Sequence, residues 1–465
     1  MKLSHLHKIY LIGIGGIGMS ALARYFLQEG KDVAGYDRTC TELTSKLQDE
    51  GINIHYIDDI HLIPKTFTDG NKTKVLVIYT PAIPSHHNEL NYFKEQGYQL
   101  VKRAEVLGWI SSEMNCIAIA GTHGKTTTSS MVAHLLYSAK SNMRAFLGGI
   151  AVNYNSNYLS NGEPKISVVE ADEYDRSFLQ LHPQIAIITS ADSDHLDIYG
   201  DESEVKKSFS AFAHNIENNG LLIIRHGLQL NLPREISICT YGLDENADVK
   251  ATNIRIVNGV YVFDVESKMA RWLDVELHMG GLHNIENATA AMYAAFSNGI
   301  SISSIKENIG TYRGVNRRFE FICQTNECIY IDDYAHHPAE IKATVDGIRQ
   351  LFPGKRILGI FQPHLYSRTR DFASGFADSL SLLDEVILMQ IYPARELPIP
   401  GVTEDLIFEK ITQAKKVKAT NLDVIEIIKS KMQEYDIVVT MGAGDIDRLV
   451  APIKKIISQS TSAVS

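Results

Sequence analysis

Short apolar runs alternate with helical patterns along most of this chain, and this alternation limits the fold more than any other feature. The runs Lys8–Ile12, Cys116–Ala120 and Arg356–Phe361 are examples, and each is followed by a turn and a helical pattern. Such alternation is typical of parallel α/β sheets. The chain has 465 residues, which is too long for one hydrophobic core. We therefore expect several α/β domains.

The strongest local motif is a glycine turn between a predicted strand and a predicted helix. The strand is Cys116–Ala120, the helix is Ser129–Tyr137, and the turn between them contains Gly121, Thr122, His123, Gly124, Lys125, Thr126 and Thr127. Glycines let backbone N–H groups approach phosphates, and the helix N-terminus adds partial positive charge. Lys125 would reach the β/γ-phosphates and the Thr126 hydroxyl would bind magnesium. The turn predicts an ATP site, although Ile119 stands where the full Walker pattern has glycine.

Two acidic clusters follow predicted strands behind this turn. Glu170–Asp175 follows the strand Ile166–Val169, and Ser190–Asp197, which contains His195, follows the strand Ile185–Thr189. Ligands of open α/β sheets bind at the carboxyl ends of strands, and carboxylates there hold magnesium beside phosphates. An isolated acidic run is more often a solvated loop, but two runs behind a phosphate loop favour a metal. We predict Thr126, Glu170 and His195 as magnesium ligands.

A second glycine turn lies near the start of the chain. It follows the strand Lys8–Ile12, Asp37 ends the next predicted strand, and its glycines are Gly13, Gly15, Gly16 and Gly18. This G-x-G-x-x-G pattern indicates that the backbone closely approaches a diphosphate. A dinucleotide and a UDP-sugar both carry such a diphosphate on a ribose. A tight strand–helix turn without a ligand is the simpler alternative.

Composition excludes several other classes of protein. The formal net charge of -10 argues against general binding to nucleic acid or to anionic membrane. The five cysteines form no C-x-x-C pair, which suits reduced thiols in the cytosol. No apolar run reaches the roughly 18 residues that span a bilayer. We expect a cytoplasmic monomer or homodimer with neither nucleic acid nor membrane as a partner.

The predicted architecture is three α/β domains in series. Residues 1–112 form a Rossmann-like N-terminal domain, residues 113–317 a central P-loop ATPase domain, and residues 318–465 a C-terminal Rossmann-like α/β domain. The two glycine turns then fall in the first and second domains.

These motifs, in this order, resemble the Mur ligase family of peptidoglycan synthesis from Tyr10 to Arg448. The short phosphate loop GTHGKTTT has the form found in that family, which accounts for Ile119. Five later segments also resemble the family: Gly281–Ala288, Gly314–Phe319, Asp332–Pro338, Phe361–Arg370 and Gly442–Asp445. Each segment alone is weak, whereas the ordered set is specific.

The resemblance implies a ligase that uses ATP and Mg2+ to join an amino acid to a carboxylate on a UDP-sugar. The N-terminal glycines, the D-Y-A-H-H-P loop and the F-Q-P-H segment are most like the members that join L-alanine to UDP-N-acetylmuramate. The implied roles are catalysis by Lys125, His195, His336 and Arg368, nucleotide binding by Asn284, Arg317 and Asp333, sugar-nucleotide binding by the first glycine turn and Asp37, and alanine binding by Tyr334, His336 and Arg368. One departure is Leu365, where many relatives carry an arginine that helps to hold the amino-acid carboxylate.

Three alternatives stay open at this point. A ligase that attaches a recycled tripeptide to the same sugar nucleotide shares the phosphate loop and the acidic cluster. A nicotinamide oxidoreductase would use the first glycine turn but would leave the phosphate loop without a purpose. A non-catalytic nucleotide-binding regulator would not need Lys125, Glu170 and His195 together.

Overall fold

The computed structural model describes residues 3–174, 176–192, 201–394 and 396–460, and these form three sheets. The first sheet is parallel, with the strand order β3-β2-β1-β4-β5. Its elements are β1 (Lys8–Ile12), α1 (Ile17–Gln28), β2 (Asp32–Tyr36), α2 (Glu42–Asp49), β3 (Asn53–His55), α3 (Lys65–Thr68), β4 (Val75–Tyr79), α4 (Asn88–Glu95), β5 (Gln99–Lys102) and α5 (Arg103–Ser112). The predicted strand β1 is confirmed residue for residue. Apolar side chains cover both faces of this sheet, because helices pack on each side.

The second sheet carries the phosphate loop near its middle. Its order is β15-β14-β13-β12-β11-β10-β6-β9-β7-β8. The elements are β6 (Asn115–Ala120), α6 (Lys125–Ser138), β7 (Met143–Ala151), β8 (Ser156–Asn161), β9 (Ile166–Glu170), β10 (Ile185–Ile188), α7 (Glu202–His214), β11 (Leu221–Arg225), β12 (Ser237–Gly242), β13 (Val249–Val257), β14 (Val260–Ser267), β15 (Arg271–Leu277), α8 (Leu282–Ser297) and α9 (Ile302–Thr311). Strand β6 pairs in parallel with β9 and with β10. Both acidic clusters therefore begin beside the end of β6, as the sequence predicts.

The third sheet has the order β16-β17-β21-β18-β19-β20, and only its edge strand β16 is antiparallel among the described pairs. Its elements are β16 (Glu320–Gln324), β17 (Ile329–Asp333), α10 (Pro338–Leu351), β18 (Ile357–Phe361), α11 (Tyr366–Leu380), β19 (Glu385–Met389), α12 (Asp405–Phe408), β20 (Lys415–Ala419), α13 (Asn421–Lys431), β21 (Ile437–Met441) and α14 (Val450–Ser460). Helix α10 begins at Pro338, since His337 caps it and proline needs no N–H partner there.

The chain divides into two compact units. The first consists of Met1–Thr252, Asp264–Leu273 and Glu286–Ile309, and the second of Asn253–Phe263, Asp274–Ile285 and Gly310–Ser465. Both glycine turns predicted to bind phosphates thus belong to the first unit. No helix within the described ranges is long and apolar enough to cross a membrane.

Candidate functional site

The phosphate loop links β6 to α6 through two glycines with positive φ. Gly121 has φ +141° and Gly124 has φ +82°, conformations that favour glycine. A methyl group at Gly121 would lie 2.0 Å from Thr189 Oγ1, so the loop also needs the space. Helix α6 begins at Lys125 and not at Ser129, because the left-handed Gly124 precedes its first turn. Lys125 and Thr126 therefore stand at the helix N-terminus, where unpaired N–H groups attract anions.

The Lys125 ammonium lies over the loop and is paired with a carboxylate. Its Nζ donates to the Gly121 carbonyl oxygen at 2.6 Å and to Glu173 Oε1 at 2.8 Å. The Glu173 side chain is only 1% exposed. This acidic partner was not assigned from the sequence, where Glu173 was one of several adjacent carboxylates.

Glu170 lies beside the loop, at the end of β9. Thr126 Oγ1 donates to its Oε1 at 3.0 Å, and the Gly148 N–H donates to its Oε2 at 3.0 Å. Carboxylate and hydroxyl oxygens are the hard ligands that magnesium prefers, so this pair fits such an ion. Of the predicted metal ligands, Thr126 and Glu170 are together, and His195 lies outside the described residues.

No group of three or more His, Cys, Asp or Glu side chains in the described part of the chain is arranged to hold a metal by itself. Magnesium at nucleotide sites usually takes one or two carboxylates together with phosphate oxygens and water. The donor set of Thr126 and Glu170 matches that pattern.

Residues just after β10 form hydrogen bonds with the phosphate loop. Ser190 Oγ accepts from the His123 N–H at 2.8 Å and lies 2.8 Å from Thr122 Oγ1. The Asp192 N–H donates to Thr122 Oγ1 at 3.1 Å. These contacts hold the loop at Thr122 and His123, and the sequence analysis did not assign Ser190 to the site.

Helix α8 also contributes to this site. Within the first unit, Asn287 lies so close to Gly124 that a methyl group there would be 2.8 Å from Asn287 Oδ1. Asn287 was not among the predicted site residues, although it belongs to the family-like segment Gly281–Ala288. In the second unit, the predicted Asn284 donates from Nδ2 to the Gly280 carbonyl oxygen at 2.7 Å.

The first glycine turn joins β1 to α1 in the way the sequence predicts. Gly13 has φ +86°. Asp37 Oδ2 accepts from the Gly15 N–H at 2.8 Å, and Asp37 Oδ1 accepts from the Thr39 N–H at 3.1 Å. Asp37 is thereby held against the turn at the carboxyl end of β2.

A cleft in the first unit extends from Gly18, at the end of the first glycine turn, to Glu170, which lies beside the phosphate loop. Gly18, Arg103, Gly148, Glu170 and Asp172 are among its lining residues. Arg103 pairs with Asp172 at 3.2 Å, and a methyl group at Gly18 would lie 2.2 Å from Arg103 Nη1. Burial favours a higher pKa for the Asp172 carboxyl, but Arg103, the Tyr174 N–H and Lys125 together hold that pKa below its ordinary value.

In the second unit, Asp333 ends β17 and is enclosed by donors. Its Oδ1 accepts from the Ala335 N–H at 2.9 Å, and its Oδ2 accepts from the Phe319 N–H at 3.1 Å and from Thr344 Oγ1 at 3.0 Å. Burial raises the pKa of Asp333 to about 6, against the opposing effect of Arg318. Its predicted contact with the nucleotide stays a prediction.

Arg317 lies against the same strand. Its Nε donates to Asp332 Oδ2 at 3.2 Å, and its Nη2 donates to the Gly442 carbonyl oxygen. Its guanidinium and that of Arg318 both lie over the Tyr334 ring, at 5.3 Å and 5.2 Å from the centroid. Arg317 thus links β17 to the segment Gly442–Asp445. Its role at the phosphates remains a prediction.

The predicted alanine-binding residues converge near Tyr334. His336 lies with its ring 5.0 Å from the Tyr334 ring and its Nδ1 2.9 Å from the Tyr334 carbonyl oxygen. Burial lowers the pKa of His336, nearby Arg368 and Arg318 lower it further, and Glu340 opposes them. Arg368 is half-buried, and within the ranges described no carboxylate forms an ion pair with it.

Leu365 precedes helix α11 in a strained backbone conformation. Its φ is +69° and its ψ is 138°, a region that leucine rarely adopts. The Leu365 N–H donates to the Tyr392 carbonyl oxygen at 2.9 Å. Strained residues of this kind cluster at functional sites, which agrees with a site beside Arg368.

Comparison with known proteins covers almost the whole chain. Residues 8–114 match the model "Mur ligase family, catalytic domain", residues 119–295 the model "Mur ligase middle domain", and residues 317–444 the model "Mur ligase, glutamate ligase domain". The UDP-N-acetylmuramate–L-alanine ligase of Cytophaga hutchinsonii is 48% identical over 464 residues, which cover 99% of this chain and 98% of that protein. The protein of the same name from Porphyromonas gingivalis is 47% identical over 453 residues, covering 97% and 99%.

Solved structures show the same architecture. The UDP-N-acetylmuramate–alanine ligase of Thermotoga maritima matches with a TM-score of 0.79 and 27% identity, covering 98% of this chain and 99% of that one. A murein peptide ligase from Psychrobacter arcticus matches with a TM-score of 0.68 and covers 96% of this chain and 99% of its own, but its 23% identity supports the fold alone.

Proposed function

Since this chain belongs to the Mur ligase family, we propose that it is an ATP-dependent ligase that joins L-alanine to the carboxylate of UDP-N-acetylmuramate. The products are the amide, ADP and phosphate. The observation that carries the proposal is the phosphate loop, where Lys125 donates to the Gly121 carbonyl oxygen and Thr126 donates to Glu170. Gly18 and Glu170 line the same cleft, which supports a sugar nucleotide bound at the first glycine turn close to the phosphate loop.

The chemistry requires activation, because a carboxylate is a poor electrophile. Its oxygen attacks the γ-phosphorus of ATP, the bond to the β-phosphate oxygen breaks, and an acyl phosphate and ADP result. The neutral amine of alanine then attacks the acyl carbon, and the tetrahedral intermediate expels phosphate. Electrostatic stabilisation of the transferring phosphoryl group is the main catalytic effect in such reactions. Lys125 and the N–H groups of the loop supply it in this chain.

Magnesium fits the pair formed by Thr126 and Glu170. A bound ion would neutralise phosphate charge there. We assign His195 to a second magnesium ion on the strength of the sequence. The rest of the ATP site consists of the loop residues 121–127, with Asn284, Arg317 and Asp333 proposed for the base, the phosphates and the ribose.

The sugar nucleotide is proposed to bind at the first glycine turn. Gly13, Gly15, Gly16 and Gly18 let the diphosphate approach the N-terminus of α1. Asp37 stands at the carboxyl end of β2, where ribose hydroxyls are usually bound in such folds. The hydrogen bond from Gly15 already fixes the orientation of Asp37.

L-alanine is proposed to bind between Tyr334, His336 and Arg368. A guanidinium binds a carboxylate through two parallel hydrogen bonds, and Arg368 is half-buried and has no acidic partner among the described residues. The lowered pKa of His336 keeps its imidazole neutral at pH 7. A neutral imidazole accepts the proton that the alanine ammonium must lose before it attacks.

We further propose that the enzyme acts in the cytoplasm as a monomer or homodimer. The described cysteines are all free thiols, which supports a reducing compartment. Phosphate release with UDP-N-acetylmuramate should be measured against L-alanine, glycine, L-serine and the tripeptide L-Ala-γ-D-Glu-diaminopimelate. We expect phosphate release and a new amide with L-alanine. Preferential use of the tripeptide would instead identify a recycling ligase, and equal ATP hydrolysis without the sugar nucleotide would exclude both.

A further inference from the structure

Gly148 occupies a place where only a residue without a side chain fits. It lies in β7, just beyond Phe146, the last residue of β7 that pairs with β9. A methyl group at Gly148 would lie 2.3 Å from both carboxylate oxygens of Glu170 and 2.4 Å from its Cδ. Carbon and oxygen atoms do not approach so closely, so any side chain at 148 must displace the Glu170 carboxylate. The backbone of Gly148 has no positive φ, and the requirement is therefore one of space.

The same glycine also binds the carboxylate that it makes room for. The Gly148 N–H donates to Glu170 Oε2 at 3.0 Å, Thr126 Oγ1 donates to Oε1 at 3.0 Å, and Ser129 Oγ lies 3.5 Å from Oε2. Two elements thus hold Glu170: α6 through hydroxyls and β7 through the backbone. A carboxylate held from two sides has few alternative rotamers, which is what a magnesium ligand beside a phosphate requires.

We propose that Gly148 is a positioning residue that sets the Glu170 carboxylate for the magnesium ion of the nucleotide site. This inference rests on the proposed ATP site but not on the identity of the amino acid. Gly148 acts through Glu170 and does not itself contact nucleotide. A side chain at position 148 should reduce the gain in nucleotide affinity that Mg2+ provides. The nucleotide affinity in the absence of metal should not change.

The test measures the affinity of a non-hydrolysable ATP analogue with Mg2+ and with excess chelator. In Gly148→Ala we expect the gain in affinity from Mg2+ to fall about 10- to 100-fold, the usual cost of losing a partner of a metal ligand. The affinity in chelator should stay within about twofold of the parent protein. Unchanged dependence on Mg2+ in Gly148→Ala would overturn the proposal.

Gly310→Ala is the matched control, because a methyl group there would be 3.9 Å from the nearest atom, the Glu276 carbonyl oxygen. It should leave both affinities unchanged. A protein that binds the analogue as expected but forms no amide with L-alanine would contradict the proposed function and leave this inference standing.

A compensating variant distinguishes displacement of Glu170 from damage to the strand. Aspartate at 170 withdraws the carboxylate by one methylene and makes room for a methyl group at 148. Gly148→Ala/Glu170→Asp should therefore fold, and its Mg2+ dependence should lie within about twofold of Glu170→Asp alone. If Gly148→Ala fails to fold, this pair carries the test. A double variant that also fails to fold shows that β7 itself needs the glycine, and the proposal is then wrong.

Discussion

Lys125 has a partner before any phosphate arrives. Its ammonium pairs with Glu173 Oε1 at 2.8 Å, and the Glu173 side chain is almost fully buried. A buried carboxylate is costly without a compensating charge. Lys125 is therefore expected to contribute to the stability of the fold as well as to the proposed chemistry, and mutagenesis must separate the two effects.

Lys125→Ala should lower turnover by about 10²–10³-fold, because it removes a cation from the transferring phosphoryl group. It should also lower the free energy of unfolding by on the order of 3 kcal/mol, since the buried Glu173 carboxylate loses the ammonium that pairs with it. Steady-state phosphate release and urea denaturation measure the two effects.

The double variant Lys125→Ala/Glu173→Gln removes both charges and serves as the control. It should regain most of the lost stability but none of the turnover. If the single variant unfolds like the parent protein, the pair does not contribute to stability. Turnover within about threefold of the parent protein would show that the loop is not the ATP site.

Arg368→Lys should raise the KM for alanine by roughly 10–100-fold. Lysine cannot reproduce the two parallel hydrogen bonds of a guanidinium, and a charge-assisted hydrogen bond contributes about 1.5–3 kcal/mol. The KM values for ATP and the sugar nucleotide should change far less. Arg370→Lys is the matched control, since Arg370 is exposed and pairs with Asp371. An effect at Arg370 without one at Arg368 would assign the carboxylate to the other arginine.

A buried group of ionisable side chains lies in the first unit, with one member each on β1, β3 and α4. Tyr10 of β1 donates to Glu89 Oε2 at 2.7 Å, and its hydroxyl lies 2.9 Å from His55 Nε2. Burial raises the pKa of Glu89 to about 8 and lowers the pKa of His55. Near neutral pH this group is therefore uncharged.

The charge state of Glu89 makes a pH-dependent contribution to stability. Between its ordinary value of 4.5 and about 8, the folded protein binds a proton that the unfolded chain has released. The free energy of unfolding contributed by Glu89 thus falls as pH rises through that window, by up to about 1.4 kcal/mol per pH unit. Glu89→Gln should abolish this fall and be more stable than the parent protein near pH 8.

Urea denaturation across the window measures the difference between the two proteins, in which the contributions of His55 and other groups largely cancel. Glu42→Gln, at an exposed position of α2, should leave the pH profile unchanged. A constant difference between Glu89→Gln and the parent protein would show that Glu89 is ionised throughout.

The segment after β10 should control how tightly the phosphate loop binds nucleotide. Ser190→Ala removes the hydroxyl that accepts from the His123 N–H and contacts Thr122. One neutral hydrogen bond contributes about 0.5–1.5 kcal/mol, so the KM for ATP should rise roughly 3- to 10-fold. The KM for the sugar nucleotide should not change. Ser430→Ala, on α13 in the second unit, is the control, and equal effects in both variants would exclude a role for Ser190.

The elements that were predicted best are short strands that are covered on both faces of their sheet. Lys8–Ile12 agrees with the structure and Cys116–Ala120 differs from it by one residue, because continuous apolar runs are typical of strands buried on both faces. The start of α6 was predicted too late, since the left-handed Gly124 allows the helix to begin inside the polar part of the motif. Local pattern does not reveal such a cap.

Both glycine turns belong to one compact unit, so their ligands should stabilise the same part of the molecule. Two ligands should each raise the temperature of the same calorimetric transition: an ATP analogue with magnesium, and UDP-N-acetylmuramate. At a hundredfold excess over Kd, each should increase the free energy of unfolding by about 2.7 kcal/mol. L-alanine alone should not raise that transition. If the two ligands shift different transitions, they do not bind to the same compact unit.

Family and fold could be predicted because ordered motifs report them, and the comparisons confirm the resemblance to the Mur ligases. The contacts of Glu173, Ser190 and Gly148 could not be predicted from the sequence. Each depends on which strands lie next to β6 and β9 and on where a side chain points across them. A serine or a glycine carries no signal of that kind by itself. The domain boundaries at 112 and 317 remain our proposal.

The backbone at Leu365 restricts what evolution or a saturation library can place there. With φ at +69° and ψ at 138°, the position penalises β-branched residues most and glycine least. Enrichment for active clones should therefore return glycine readily and exclude valine, isoleucine and threonine, whatever their polarity. An arginine recovered at 365 would have to gain enough from the alanine carboxylate to offset that strain. Tolerance at this site is decided by main-chain geometry before side-chain chemistry is tested.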